Sequence, residues 1–158
     1  MASFVCPNQF DAKYKGIGDF GSQCNACPIF ALFTAYNFMQ NGQISKQQHV
    51  NNLDAAVTNL LTNEGVQKYM SFDEVLQFTG DIFDDSTIQA ATPEIINEYG
   101  YESIFKPDSF KSNYCVIFLK NSNFIVVMIK YDPESDSKTY CVRDCHEKEQ
   151  FNFDNMDA

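Results

Sequence analysis

The spacing of apolar and polar positions divides the chain into a helical half and a strand-like half. From Cys24 to Met39 almost every position is apolar, the pattern of a helix buried on all sides. Asn41-Gly42 follows it and supplies the left-handed residue that commonly ends a helix. Ser45 with Gln48 forms a capping box for a second helix, whose apolar positions Val50, Leu53, Val57, Leu60 and Leu61 make a stripe. Gly65 stops it. A second capping box, Ser71 with Glu74, opens a short helix running to Gly80, and Thr92-Pro93-Glu94 opens another that ends at Gly100. Beyond Pro107 the period falls to that of strands. Tyr114–Leu119, Phe124–Ile129, Tyr140–His146 and Gln150–Phe153 are separated by polar turns, as in an antiparallel meander.

Helices first and a meander afterwards predict an α+β fold with the N-terminal helices packed on a C-terminal antiparallel sheet. The 158 residues suit one domain over 1–158, and no repeat or linker interrupts them. Pro28 sharpens the first helix. Proline lacks an N–H and is tolerated only in the first turn, so the helix is expected to begin at about Cys24 or Asn25.

Composition narrows the function. Hydrophobic residues make up 44% and aromatics 15%, enough for a packed core. The net charge of −10 lacks the basic footprint that nucleic acid requires. It suits partners with basic segments. No apolar run approaches the roughly 18–20 residues of a membrane span. Residues 1–7 lack the charged start and apolar stretch of a signal peptide, so the expected compartment is the cytoplasm. That would be host-cell cytosol if the source is a virus or an intracellular bacterium. The six cysteines are then expected as free thiols, with Cys115 and Cys141 acting as small hydrophobes in their strands.

Candidate chemistry centres on cysteine. A thiol at a helix N-terminus is biased towards thiolate, and a neighbouring imidazolium biases it further. Cys24 takes the first position. The chain has two histidines. His49 is expected on the outer face of the second helix. His146 lies in Asp144-Cys145-His146, and residues two apart on a strand share a face, about 6–7 Å apart at Cα. Asp144 can then hold one ring nitrogen while the other takes a thiol proton. Taken alone, this pair also fits an exposed strand end.

The run Gly21-Ser22-Gln23-Cys24-Asn25-Ala26-Cys27 before an apolar helix, with Tyr140-Cys141-Val142-Arg143-Asp144-Cys145-His146 late in the chain, resembles the herpesvirus large-tegument deubiquitinases and their relatives. These are papain-like cysteine proteases. The resemblance spans Gln9 to His146. It implies Cys24 as nucleophile, His146 as general base and acid, Asp144 as its orienter, and Gln9 as oxyanion donor, with Gln23 as the other candidate for that last role. It further implies ubiquitin or ubiquitin chains as the partner of a monomeric enzyme, cleavage after the terminal glycine, and no cofactor. The arginine in the ubiquitin tail would suit the acidic surface. Phe124 beside Asn123 is the candidate wall of a glycine-admitting tunnel. One departure is visible: papain carries its histidine at the start of a middle strand, which here is Asn123-Phe124.

Two other readings compete. Cys24, Cys27, Cys141, Cys145 and His146 are zinc-ligand types and could stabilise a binding module. Against this, Cys141 and Cys145 would face away from His146 on an ideal strand. Cys24-x-x-Cys27 could also be a redox dithiol, although residues 10–23 do not resemble the strand such folds place before the motif.

Overall fold

The computed structural model describes residues 4–8, 11–14, 26–62, 111–120 and 123–153. Within them the chain is α+β. Strand β1 (Phe4–Val5) and a short 3-10 turn at Ala12–Tyr14 precede helices α1 (Cys27–Asn41) and α2 (Lys46–Thr62). Strands β2 (Tyr114–Lys120), β3 (Asn123–Asp132), β4 (Ser137–Arg143) and β5 (Glu149–Phe153) follow. They form one sheet in the order β1-β5-β4-β3-β2, with every neighbouring pair antiparallel. The meander expected from the sequence is therefore present, with one addition. Phe4 and Val5 pair with Gln150 and Glu149, where the sequence suggested only an extended loop. Two residues are too few to show a period. The capping box at Ser71, the helix start at Thr92-Pro93-Glu94 and the stop at Gly65 lie outside the described residues.

Helix α1 begins at Cys27, two to three residues later than expected. Pro28 sits in its first two positions, where the absent N–H costs nothing, and Ala26 precedes it. The proline criterion allowed a start anywhere within the preceding turn, and the chain starts one residue before the proline. Gly42 closes the helix at φ 72°, its N–H reaching the Phe38 carbonyl at 2.7 Å. The Ser45–Gln48 capping box forms with both arms, Ser45 N–H to Gln48 Oε1 at 2.7 Å and Gln48 N–H to Ser45 Oγ at 3.2 Å.

Ile29, Phe30, Leu32 and Phe38 of α1 are at most 2% exposed and pack against Phe124, Val126 and Met128 of β3. At about 1.5–3 kcal/mol for each buried side chain, this contact dominates the local energetics. The opposite sheet face is also apolar and holds Val127, Ile129 and Tyr140.

The buried face of α2 is rotated from the expected stripe. Its described buried positions are His49, Asn52, Leu53, Ala56 and Val57, while Val50 is only half-buried. His49 is 0% exposed, which corrects its assignment to the outer face. Its ring stands edge-on to Phe30 at 5.0 Å and to Phe4 at 5.6 Å. Neither ring nitrogen has a hydrogen-bond partner. Burial, and secondarily the charge of Arg143, push this imidazole down to about 4. A neutral histidine behaves here as one more aromatic of the core.

Candidate active site

Strand β4 ends at Arg143, so Asp144, Cys145 and His146 occupy a turn rather than the strand expected for them. The turn has a local cause. The Asp144 carboxylate accepts the main-chain N–H of His146 at 2.9 Å, an Asx-turn that competes with continued pairing. The same Oδ1 lies 3.0 Å from His146 Nδ1. Side-chain orientation therefore comes from a turn closing on itself, not from shared strand facing.

Three neighbours hold this turn. Gln150, 1% exposed, accepts from the Asp144 N–H at 3.0 Å and donates to the carbonyls of Asp144 at 2.8 Å and Glu147 at 3.0 Å. Asn8 donates to the His146 carbonyl at 2.9 Å. Arg143, 2% exposed, donates to the carbonyls of Val142 and Phe151 and to Asn152 Oδ1, while its guanidinium lies 4.7 Å over the Phe4 ring. None of these three was singled out from the sequence. Isolated Asn and Gln residues carry no motif, and their roles come entirely from tertiary placement.

Two thiols bear on His146 among the described residues, its chain neighbour Cys145 and the helix-start Cys27. Cys27 begins α1 and is 3% exposed, and Cys145 and His146 both act on its titration. The Cys145 thiol is the largest influence pulling Cys27 down to about 5. The His146 hydrogen bond, the Phe124 main chain and the His146 charge add to it against the opposing cost of burial. For His146, burial opposes the charged ring, but hydrogen bonds to Asp144 and Cys27 outweigh it and lift the imidazole to about 9. Thiolate and imidazolium thus stabilise each other. By contrast, burial alone pushes the Cys115 thiol up to about 12.

Cys24, Gln9 and Gln23 lie outside the described residues. Phe124 is brought to the site through its main chain, at the start of β3, with Asn123 beside it. Cys145 was expected to face away from His146, and the turn corrects this: its sulfur is 3.9 Å from His146 Nδ1. Donor atoms of Asp144, Cys145 and His146 all lie within 4.8 Å of one another, a set that neither Cys27 nor Cys141 joins. Cys141 pairs across the sheet with Met128 and Asn152. The described cysteines, Cys6, Cys27, Cys115, Cys141 and Cys145, are free thiols.

No family model, curated protein or solved structure matches this chain. Its function must be read from the site itself. No helix among the described residues is long and apolar enough to cross a membrane.

Proposed function

We propose that the chain is a papain-like thiol hydrolase in which Cys27, rather than Cys24, is the nucleophile, His146 the base and acid, and Asp144 the orienter. What supports this reading is the His146–Asp144 pair at 3.0 Å, together with the pull of His146 on the helix-start thiol of Cys27. The Cys27 sulfur attacks a carbonyl carbon, and the oxyanion forms near the first turn of α1. There the N–H groups of Cys27 and Ile29 have no intrahelical acceptor. His146 gives its proton to the leaving amine, leaving a thioester. It then takes a proton from the water that hydrolyses the thioester and returns it to the sulfur. Gln9 or Gln23 would supply a side-chain donor to the same oxyanion.

The substrate we propose is a ubiquitin conjugate, cleaved after the C-terminal glycine. This rests on the resemblance of the two cysteine- and histidine-bearing runs to the tegument-type deubiquitinases and on the charge of −10 opposite a basic tail. The monomeric state, the cytoplasmic compartment and the glycine-lining role of Phe124 and Asn123 belong to the same proposal.

A ubiquitin probe bearing a C-terminal electrophile tests it. The adduct should map to Cys27, vanish in Cys27→Ala and persist in Cys24→Ala. An adduct on Cys24 would return the nucleophile role to that residue. If Cys27 reacts with a small electrophile but never with the ubiquitin probe, ubiquitin is not the substrate.

A further inference from the structure

We propose that strand β1 is a latch on the Asp144–His146 turn, that His49 is its pH-sensitive catch, and that protonating His49 releases β1 and switches the site off. The switching half rests on the hydrolase reading above; the latch half does not.

β1 is tied directly to the turn. Phe4 and Val5 pair with Gln150 and Glu149, the Cys6 N–H donates to the Lys148 carbonyl at 3.0 Å, and Asn8 Nδ2 donates to the His146 carbonyl at 2.9 Å. Asn8 is thus a positioning residue for the histidine. The strand itself is slight, two residues at the edge of the sheet. Its side-chain anchor is Phe4, which meets two basic groups. The Arg143 guanidinium lies 4.7 Å over the ring, and His49 stands edge-on at 5.6 Å.

This arrangement requires a neutral imidazole. His49 is 0% exposed and neither ring nitrogen has a hydrogen-bond partner, so a charged ring would be buried with no acceptor. It lies in the first turn of α2, where the helix dipole opposes positive charge. Among the described residues, the facing elements bring no anion to it. α1 has no charged residue and presents Phe30 at 5.0 Å. β1 brings Phe4, and Cys6 beyond it has its thiol pushed up by burial. β4 brings Arg143, a second cation. On β5, Glu149 pairs with Val5 and shares its face, away from Phe4. On α2 itself, Lys46 is a further cation, and Asp54 is engaged by Tyr14 and by Lys13 at 2.9 Å.

A protonated His49 is therefore stable only where water reaches it. Phe30 is 0% exposed and fixed in the core, whereas Phe4 is half-buried on a two-residue edge strand. The ring is uncovered through β1. Cys6 and Asn8 then leave their acceptors, and the His146 carbonyl loses its hold. The imidazole sits at about 4 when covered and near 6.5 when open, so closure is complete above pH 6.5 and weakens as pH falls. The opening equilibrium rises about 20-fold from pH 7 to pH 5 and about 100-fold by pH 4.

The test is amide hydrogen exchange on the full chain, corrected for the intrinsic rate at each pH. The Cys6 amide should exchange well ahead of the Val127 amide in the middle of β3, and its opening should rise about 20-fold from pH 7 to pH 5. His49→Phe should abolish that rise. Phe4→Ala should open β1 at pH 7 and let the His49 ring titrate near 6.5 by NMR. It should also raise the midpoint of Cys27 alkylation, as the turn loosens. Equal protection at Cys6 and Val127, a flat Cys6 profile, a rise that persists in His49→Phe, or a His49 ring still near 4 in Phe4→Ala would each overturn the latch. A latch that opens as described beside an unmoved Cys27 midpoint would overturn the switch. An intact latch on a protein whose Cys27 never accepts the ubiquitin probe at any pH would remove the hydrolase and leave the latch standing.

Discussion

The sharpest consequence of the Cys27–His146–Asp144 contact is a flat reactivity profile. Cys27 is drawn from the ordinary 9.0 to about 5. At pH 6 that makes it about nine-tenths thiolate, against about one part in a thousand for an unperturbed thiol. A lower pKa also weakens the nucleophile, by about 40–100-fold over this range at a Brønsted slope of 0.4–0.5. The net advantage at pH 6 is about 10–20-fold in alkylation rate, and by pH 8 it has reversed. The discriminating quantity is therefore the slope. Between pH 6 and 8 the rate at Cys27 should stay nearly constant, whereas an unperturbed thiol gains about 100-fold. A second change is expected near pH 9, where His146 loses its proton. Iodoacetamide labelling resolved by peptide mass spectrometry reads this directly, in a metal-free Cys24→Ser background, with Cys115 as the slow internal reference. His146→Ala should move the lower midpoint upward. A Cys27 rate that climbs tenfold per pH unit through 7–8, as for a free thiol, would refute the ion pair.

Further outcomes follow from other residues. His49 sits at about 4 in the fold and near 6.5 when unfolded, so its contribution is complete above pH 6.5 and lost as pH falls towards 4. Denaturant unfolding should show about 3 kcal/mol less stability at pH 4 than at pH 7 from this residue, and His49→Phe should remove that component. Gln150→Ala leaves the Asp144 N–H and two carbonyls unpaired in a buried turn, for a loss of about 2–3 kcal/mol by chemical denaturation and a higher Cys27 midpoint. A Gln150→Ala protein with wild-type stability and midpoint would remove Gln150 as the brace of this turn. Gly42→Ala meets Asn113 Nδ2 at an ordinary 3.6 Å, so its cost is the left-handed backbone alone, about 1–2 kcal/mol by thermal melting.

The elements that repeat a period were legible in the sequence. α2 with its capping box, the β2–β3 hairpin and the order helices-then-sheet all follow from spacing and end signals, because these act over a few residues. What escaped was set by contacts far apart in the chain. The rotation of α2 that buries His49 depends on Phe4 and Phe30, neither visible from its own helix. The turn at Asp144 depends on an Asx closure braced by Gln150, where spacing alone suggested a strand. Pro28 correctly required a helix start nearby, yet its tolerance of a full turn let Cys24 and Cys27 compete. Among the described thiols His146 acts on Cys27 and lies beside Cys145, neither of which spacing alone distinguished from Cys24. Asp144 and His146 were legible as a pair, though for a different geometric reason.

The pairing of β1 with β5 ties the His146 turn to the first residues of the chain. The Asn8–His146 and Cys6–Lys148 contacts close loops of 138 and 142 residues. Contacts of such separation form late, because closing a long loop carries an entropic cost before any packing repays it. During synthesis, β1 and Cys27 leave the ribosome well before Asp144, His146 and Gln150 exist to meet them. Until the last strands dock, Cys27 remains an ordinary, largely protonated thiol. The perturbation of the Cys27 thiol is therefore a property of the finished fold and not of any shorter stretch of the chain.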